Sequence, residues 1–128
     1  MAATITNAAL AEFSGLVGNT GSKTAFTYLA CGTGTSAASA SDTTLGTEIT
    51  DSGLERSTGT LTQQTTSQSN DTLQIIKAWS VTGTKTISEV GMFNASSNGT
   101  LAAREVLSPT KSVVSGDTYT LTFKLVFS

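Results

Sequence analysis

Four charged side chains, Glu48, Arg56, Glu89 and Arg104, stand in or beside apolar runs of a chain in which only 12% of residues are charged. A charge turned into a low-dielectric interior costs several kcal/mol (order of magnitude) unless an opposite charge meets it. At least one Glu–Arg pair joining neighbouring strands is therefore expected, formed by Glu89 with Arg56 or Arg104. The remaining chemical inventory is thin. Glu48, Asp51 and Glu55 form the nearest carboxylate cluster, but their spacing matches neither a calcium loop nor an acid–base pair, and solvation accounts for them. Gly32-Thr33-Gly34 begins like a phosphate-cradling loop, yet no third glycine and no helical pattern follow. Asn70, Asn94 and Asn98 head Asn-x-Ser/Thr triplets, which arise readily by chance in so hydroxyl-rich a chain. There is one cysteine, Cys31, and no histidine. These counts exclude an internal disulfide, a zinc knuckle, the usual general base and every Ser-His-Asp or Cys-His arrangement. The expectation is a protein without catalytic activity and without a metal or cofactor.

The elements that carry these residues follow from composition and period. With 128 residues and 13.1 kDa, the chain makes one domain with a real core. Its net charge is −2, which offers no basic excess for phosphates and argues against nucleic acid. The 12% charged content is about half the charge usual for soluble domains, and the missing charge is replaced by hydroxyls, 25 threonines and 17 serines. No run approaches the roughly 20 apolar residues that span a bilayer. Met1 to Asn7 lacks the basic and apolar regions of a secretory signal.

Thr6 or Asn7 is expected to cap a short helix over Ala8–Phe13, with Glu12 near the exposed amides of the first turn. Ile5, Leu10 and Phe13 would form a small apolar patch. That helix either plugs one end of the domain or docks on a neighbouring subunit. From Thr24 the period becomes two. Phe26, Tyr28 and Ala30 share one face and Leu29 and Cys31 the other, so Cys31 reads as a small buried hydrophobe. Gly32 to Thr44 is expected to be an exposed, pliable loop. Leu54–Thr66 reads as one exposed or edge strand. Further strands run over 72–81, 84–93, 100–107 and 119–127, and Asn98-Gly99 is a hairpin signal for the pair it separates. The fold class is all-β, an antiparallel β-sandwich of jelly-roll-like form. Residues 1–23 form an N-terminal arm or short helix, and residues 24–128 form a single sandwich domain.

The order of motifs resembles small structural proteins of tailed bacteriophages. Tyr28-Leu29-Ala30-Cys31-Gly32-Thr33-Gly34, Thr44-Leu45-Gly46-Thr47-Glu48 and Arg56 are similar to their opening half. Ile87 to Asn94, Gly99-Thr100-Leu101-Ala102-Ala103-Arg104 and Gly116-Asp117-Thr118 are similar to their second half. A related pattern occurs in the attachment domains of tail-collar fibre proteins. The resemblance covers roughly residues 26–127. It implies a virion protein, assembled in the host cytoplasm, that binds copies of itself and a larger shell or tail. The chain stops one strand after Gly116-Asp117-Thr118, which points to a stand-alone capsid decoration (cement) protein, homotrimeric and bound to the major capsid protein. The alternative is a tail, collar or short-fibre component meeting tail or baseplate proteins. A carbohydrate-binding sandwich is the third reading, with Trp79, Tyr28 and Tyr119 as its only non-phenylalanine aromatics. Neither nucleic acid nor membrane is an expected partner. Assembly contacts are expected from Ile5, Leu10 and Phe13 and from the loop Gly32–Thr44, on a sandwich that folds without residues 2–13.

Overall fold

Alternating hydrophobicity in the second half of the chain sets the architecture that a computed structural model describes for residues 3–128. Eight strands, β1 (Thr4–Ile5), β2 (Tyr28–Gly32), β3 (Ser57–Thr58), β4 (Thr60–Gln64), β5 (Thr72–Ser80), β6 (Lys85–Phe93), β7 (Leu101–Val113) and β8 (Thr118–Val126), join one helix, α1 (Asn7–Gly18). They form two antiparallel sheets, one ordered β1-β7-β6-β2-β3 and the other β4-β5-β8. The chain is thus an all-β sandwich with one helix.

The main core lies between the sheets, where Leu29, Cys31, Val90 and Met92 of the larger sheet meet Ile75, Trp79, Leu121 and Phe123 of the smaller one. A second cluster, Ala30, Leu45, Phe93 and Leu101, lies on the outer face of the five-stranded sheet. Both faces of β2 and β6 are covered, so these strands are almost continuously buried, whereas β8 alternates strictly between buried and exposed.

Three expectations need correction. The segment Leu54–Thr66 is not one strand: β3 pairs with β2 in the larger sheet, and β4 pairs with β5 in the smaller. The change of sheet occurs at Gly59, where a Cβ would lie 2.6 Å from Ile75 Cγ1 and 2.7 Å from the Ile76 carbonyl. Asn98 and Gly99 both adopt positive φ (53° and 72°), but they sit within the wider connection from Phe93 to Leu101. The Asn94 side chain closes that connection by accepting from the Thr100 N–H at 2.8 Å. Finally, β7 continues to Val113 through an irregular stretch opposite Ile87 and Glu89, which its polar Ser108–Ser112 sequence conceals.

The N-terminal segment is built into the sandwich. β1 adds an edge strand to β7, and the fully buried Thr6 caps the helix by accepting from the Ala9 N–H at 3.2 Å. Its hydroxyl also donates to the Leu101 carbonyl, so one side chain fixes both the helix start and its place on the sheet. The helix runs well past Phe13 and ends at Asn19, whose left-handed conformation (φ 50°) turns the chain away. Glu12 meets Lys23 at 3.7 Å, away from the first-turn amides.

Candidate functional site

The strand register places Glu89 on the outer face of β6, beside Gly32 of β2 and one row from Arg104 of β7. Glu89 is fully buried and Arg104 is 2% exposed. Arg104 Nε donates to Glu89 Oε1 at 2.8 Å, and Arg104 Nη1 donates to Asp42 Oδ2 at 3.2 Å. The rest of the Glu89 carboxylate is taken by backbone: Oε1 accepts from the Gly46 N–H at 2.7 Å. Oε2 accepts from the N–H groups of Gly34 at 2.7 Å and Thr47 at 2.8 Å. Glycines make this approach possible. A Cβ at Gly32 would collide with Glu89 Oε2, and one at Gly34 would lie 2.5 Å from the same atom.

The Gly32-Thr33-Gly34 motif and Gly46 therefore do cradle an anion, and the anion is the chain's own carboxylate. Burial pushes the Glu89 carboxyl up. The donors from Thr47, Arg104, Gly46 and Gly34 outweigh that and hold it below the usual glutamate value.

The loop after β2 is consequently clasped to the sheet at several points. Asn7 donates to the Ala40 carbonyl at 2.7 Å, Ile49 donates to the Cys31 carbonyl at 2.8 Å, and Leu45 covers the outer apolar cluster. Gly91 of β6 admits this cover, since a Cβ there would lie 2.9 Å from Leu45 Cδ2. Nothing within Gly32–Thr44 announces the clasp, because the residue that organises it lies more than 40 positions downstream. Asp42 escapes sequence reasoning for the same reason.

Arg56 does not reach Glu89. It forms a two-pronged pair with Glu48, Nε to Oε2 at 3.0 Å and Nη2 to Oε1 at 2.6 Å. Its Nη1 donates to the carbonyls of Ala95 at 3.0 Å and Asn98 at 2.8 Å, and the guanidinium lies 3.6 Å from the centre of the Phe93 ring. This arginine fixes the Asn94–Thr100 connection to the segment around Glu48. Two Glu–Arg units thus pin two loops to the same outer face.

Of the three nominated contact residues, Ile5 and Phe13 pack on their own sandwich, with Phe13 edge-on to Phe26 at 5.4 Å and to Phe127 at 6.1 Å. Leu10 is 56% exposed, as is its helical neighbour Val17 at 90%. Trp79 and Tyr119 are buried and stacked on each other at 6.0 Å, with Trp79 Nε1 donating to the Glu55 carbonyl at 2.8 Å. They form no exposed platform for a sugar.

The Glu89 and Arg56 groups bond to the chain itself. Burial, with the Glu48 charge adding to it, pushes the Cys31 thiol up to about 12, so it is a protonated core residue. Cys31 is expected to stay unlabelled by a thiol reagent in the native protein and to react fully after denaturation; labelling of the folded protein would contradict this burial. Among the described residues, no group of three Asp, Glu or Cys is placed to hold a metal ion, and no helix is long and apolar enough to cross a membrane.

No curated protein and no solved structure matches this chain. A family model described as podophage GP4 fiber I protein gp80 matches residues 2–126. Matched over nearly its whole length, the chain belongs to the podophage GP4 fiber I protein gp80 family and is a structural protein of the phage virion.

Proposed function

We propose that the protein is a non-catalytic component of the podophage tail-fibre apparatus, a rigid sandwich that binds other virion proteins. The observation that carries this reading is the match of a fibre-protein family to residues 2–126. It favours the tail component over the capsid decoration protein, whose case rested on where the chain stops after Gly116-Asp117-Thr118. The structure supports a binding role in two ways. The two clasped loops give the outer face a fixed shape, which lowers the ordering cost of docking. The exposed surface carries few charges, so closely packed proteins avoid like-charge contacts. Immunogold labelling of intact virions with antibodies to this protein is expected to place gold at the tail. Gold distributed over the head would overturn the fibre reading.

A further inference from the structure

Of the chain's asparagines, only Asn98 is followed by a glycine. That pair can react with itself. The Gly99 nitrogen gives up its proton and attacks the Asn98 Cγ, the Cγ–Nδ2 bond breaks, and ammonia leaves. The imide ring that remains is opened by water, at Cγ to give aspartate or at the main-chain carbonyl carbon to give isoaspartate. The balance is one water consumed and one ammonia released. Glycine leaves the attacking nitrogen unhindered, and here no other residue fits. A Cβ at Gly99 (φ 72°) would lie 2.7 Å from Ala95 Cβ and 2.8 Å from Asn94 Oδ1.

The folded loop opposes this chemistry. Ring closure needs the Gly99 nitrogen nearly eclipsed with the Asn98 Cβ. Asn98 stands in the left-handed region at φ 53°, whose usual ψ of about +47° sets the following nitrogen almost opposite Cβ. Reaction therefore waits for rotation about the Asn98 Cα–C bond. Asn98 and Gly99 are exposed, and among the described residues no acceptor holds the Gly99 N–H. The peptide between them is held through its oxygen instead. Arg56 Nη1 donates to the Asn98 carbonyl at 2.8 Å and to the Ala95 carbonyl at 3.0 Å. Glu48 grips the other side of the guanidinium. Turning the Gly99 nitrogen toward Cγ must break the first of these bonds.

We propose that Asn98-Gly99 is a latent self-modification site that Arg56 keeps shut, and that conversion there leaves the loop unlocked. Ammonia is lost, so Asn98 is not regenerated. Isoaspartate carries the main chain through Cγ and lengthens it by one carbon. The carbonyl that Arg56 holds and the Thr100 N–H, which the Asn94 side chain accepts at 2.8 Å, then lose their common register. The new carboxylate also enters a hollow that Glu48 and Glu55 already line beside Arg56, where a third acid repels the two present. Each converted copy gains one negative charge on the outer face that the two loops shape.

This site does not depend on the tail location, because the isolated full chain reports it. Peptide mapping by mass spectrometry follows the amide-to-acid conversion at Asn98 in protein aged at mildly alkaline pH. The folded wild type is expected to convert far more slowly than the same chain in guanidinium chloride. Arg56→Gln should convert about tenfold faster than the wild type, the factor that loss of one charge-assisted hydrogen bond allows. Should circular dichroism show that variant unfolded, Glu48→Gln, which removes only the guanidinium's counter-charge, takes its place with a smaller acceleration. In the converted fraction, separated by anion exchange, hydrogen exchange at the Thr100 amide should rise. Equal rates in folded and unfolded wild type overturn the proposal, as does a folded variant that converts no faster than the wild type. A converted fraction whose Thr100 amide keeps its protection overturns the unlocking.

Discussion

Replacing Glu89 by alanine is expected to destabilise the protein by about 3–5 kcal/mol, the cost of breaking a buried ion pair by deleting one member. For a domain of this size the melting temperature should fall by roughly 10–20 °C. The reason lies in how completely the carboxylate is used, since its two oxygens accept four donors, two apiece. Removal leaves Arg104 buried without its main counter-charge and frees three backbone N–H groups. Glu89→Gln is expected to cost nearly as much, because the amide group would turn two of its own N–H bonds toward other donors. Hydrogen exchange in either variant should rise sharply at Gly34, Gly46 and Thr47, the residues held by the carboxylate.

The double variant Glu89→Ala with Arg104→Ala should lose less than the sum of the two single losses. The pH dependence has a definite sign. The folded Glu89 carboxyl lies below the ordinary value of 4.5, so its contribution is complete above that pH and disappears as pH falls through the lower folded value. That part of the acid sensitivity should vanish in Glu89→Gln. A Glu89→Ala protein that melts within about 2 °C of the wild type would refute the clasp as a stabilising unit.

Deleting residues 2–13 is expected to cost about 5 kcal/mol or more, which for many domains is the entire stability margin. The deletion removes β1, the buried Thr6 and Ala9, and the Phe13 ring that closes the end of the sandwich between Phe26 and Phe127. Phe13→Ala alone should cost about 2–3 kcal/mol, below the roughly 3–5 kcal/mol of a fully buried aromatic because the ring is only partly buried. Leu10→Ser and Val17→Ser should each change stability by no more than about 0.5 kcal/mol, since both side chains stand in solvent. Urea unfolding curves measure all four. A truncated chain with an unchanged midpoint would return the segment to the status of a detachable arm.

What was legible in the sequence depended on whether the signal was local. β8 could be read almost residue by residue, because one face meets the core and the other meets water, so burial is written as a strict alternation. Position two in the pattern fails at β4, where every side chain is exposed and threonines carry no phase. The change of sheet at Gly59 is therefore invisible in a weakly alternating run. The four conspicuous charges owed their visibility to apolar neighbours. Which charge meets which depends on strand register and on a loop crossing the sheet, and neither is encoded nearby. Asp42 sits in a run of serine and alanine that marks nothing, and its role emerges only when Arg104 arrives from β7. Gly32 and Gly34 begin a phosphate-loop pattern, and Gly46 lies outside it. Their use on an internal carboxylate could not be found without knowing that Glu89 lies beneath them.

A groove beside β8 is lined at one wall by Ala3 and Ile5 and at the other by Leu125 and Val126. The first and last strands therefore leave the body side by side, although they belong to different sheets. Grafting a segment at either exit would address the same flank of the molecule, leaving the clasped outer face unobstructed.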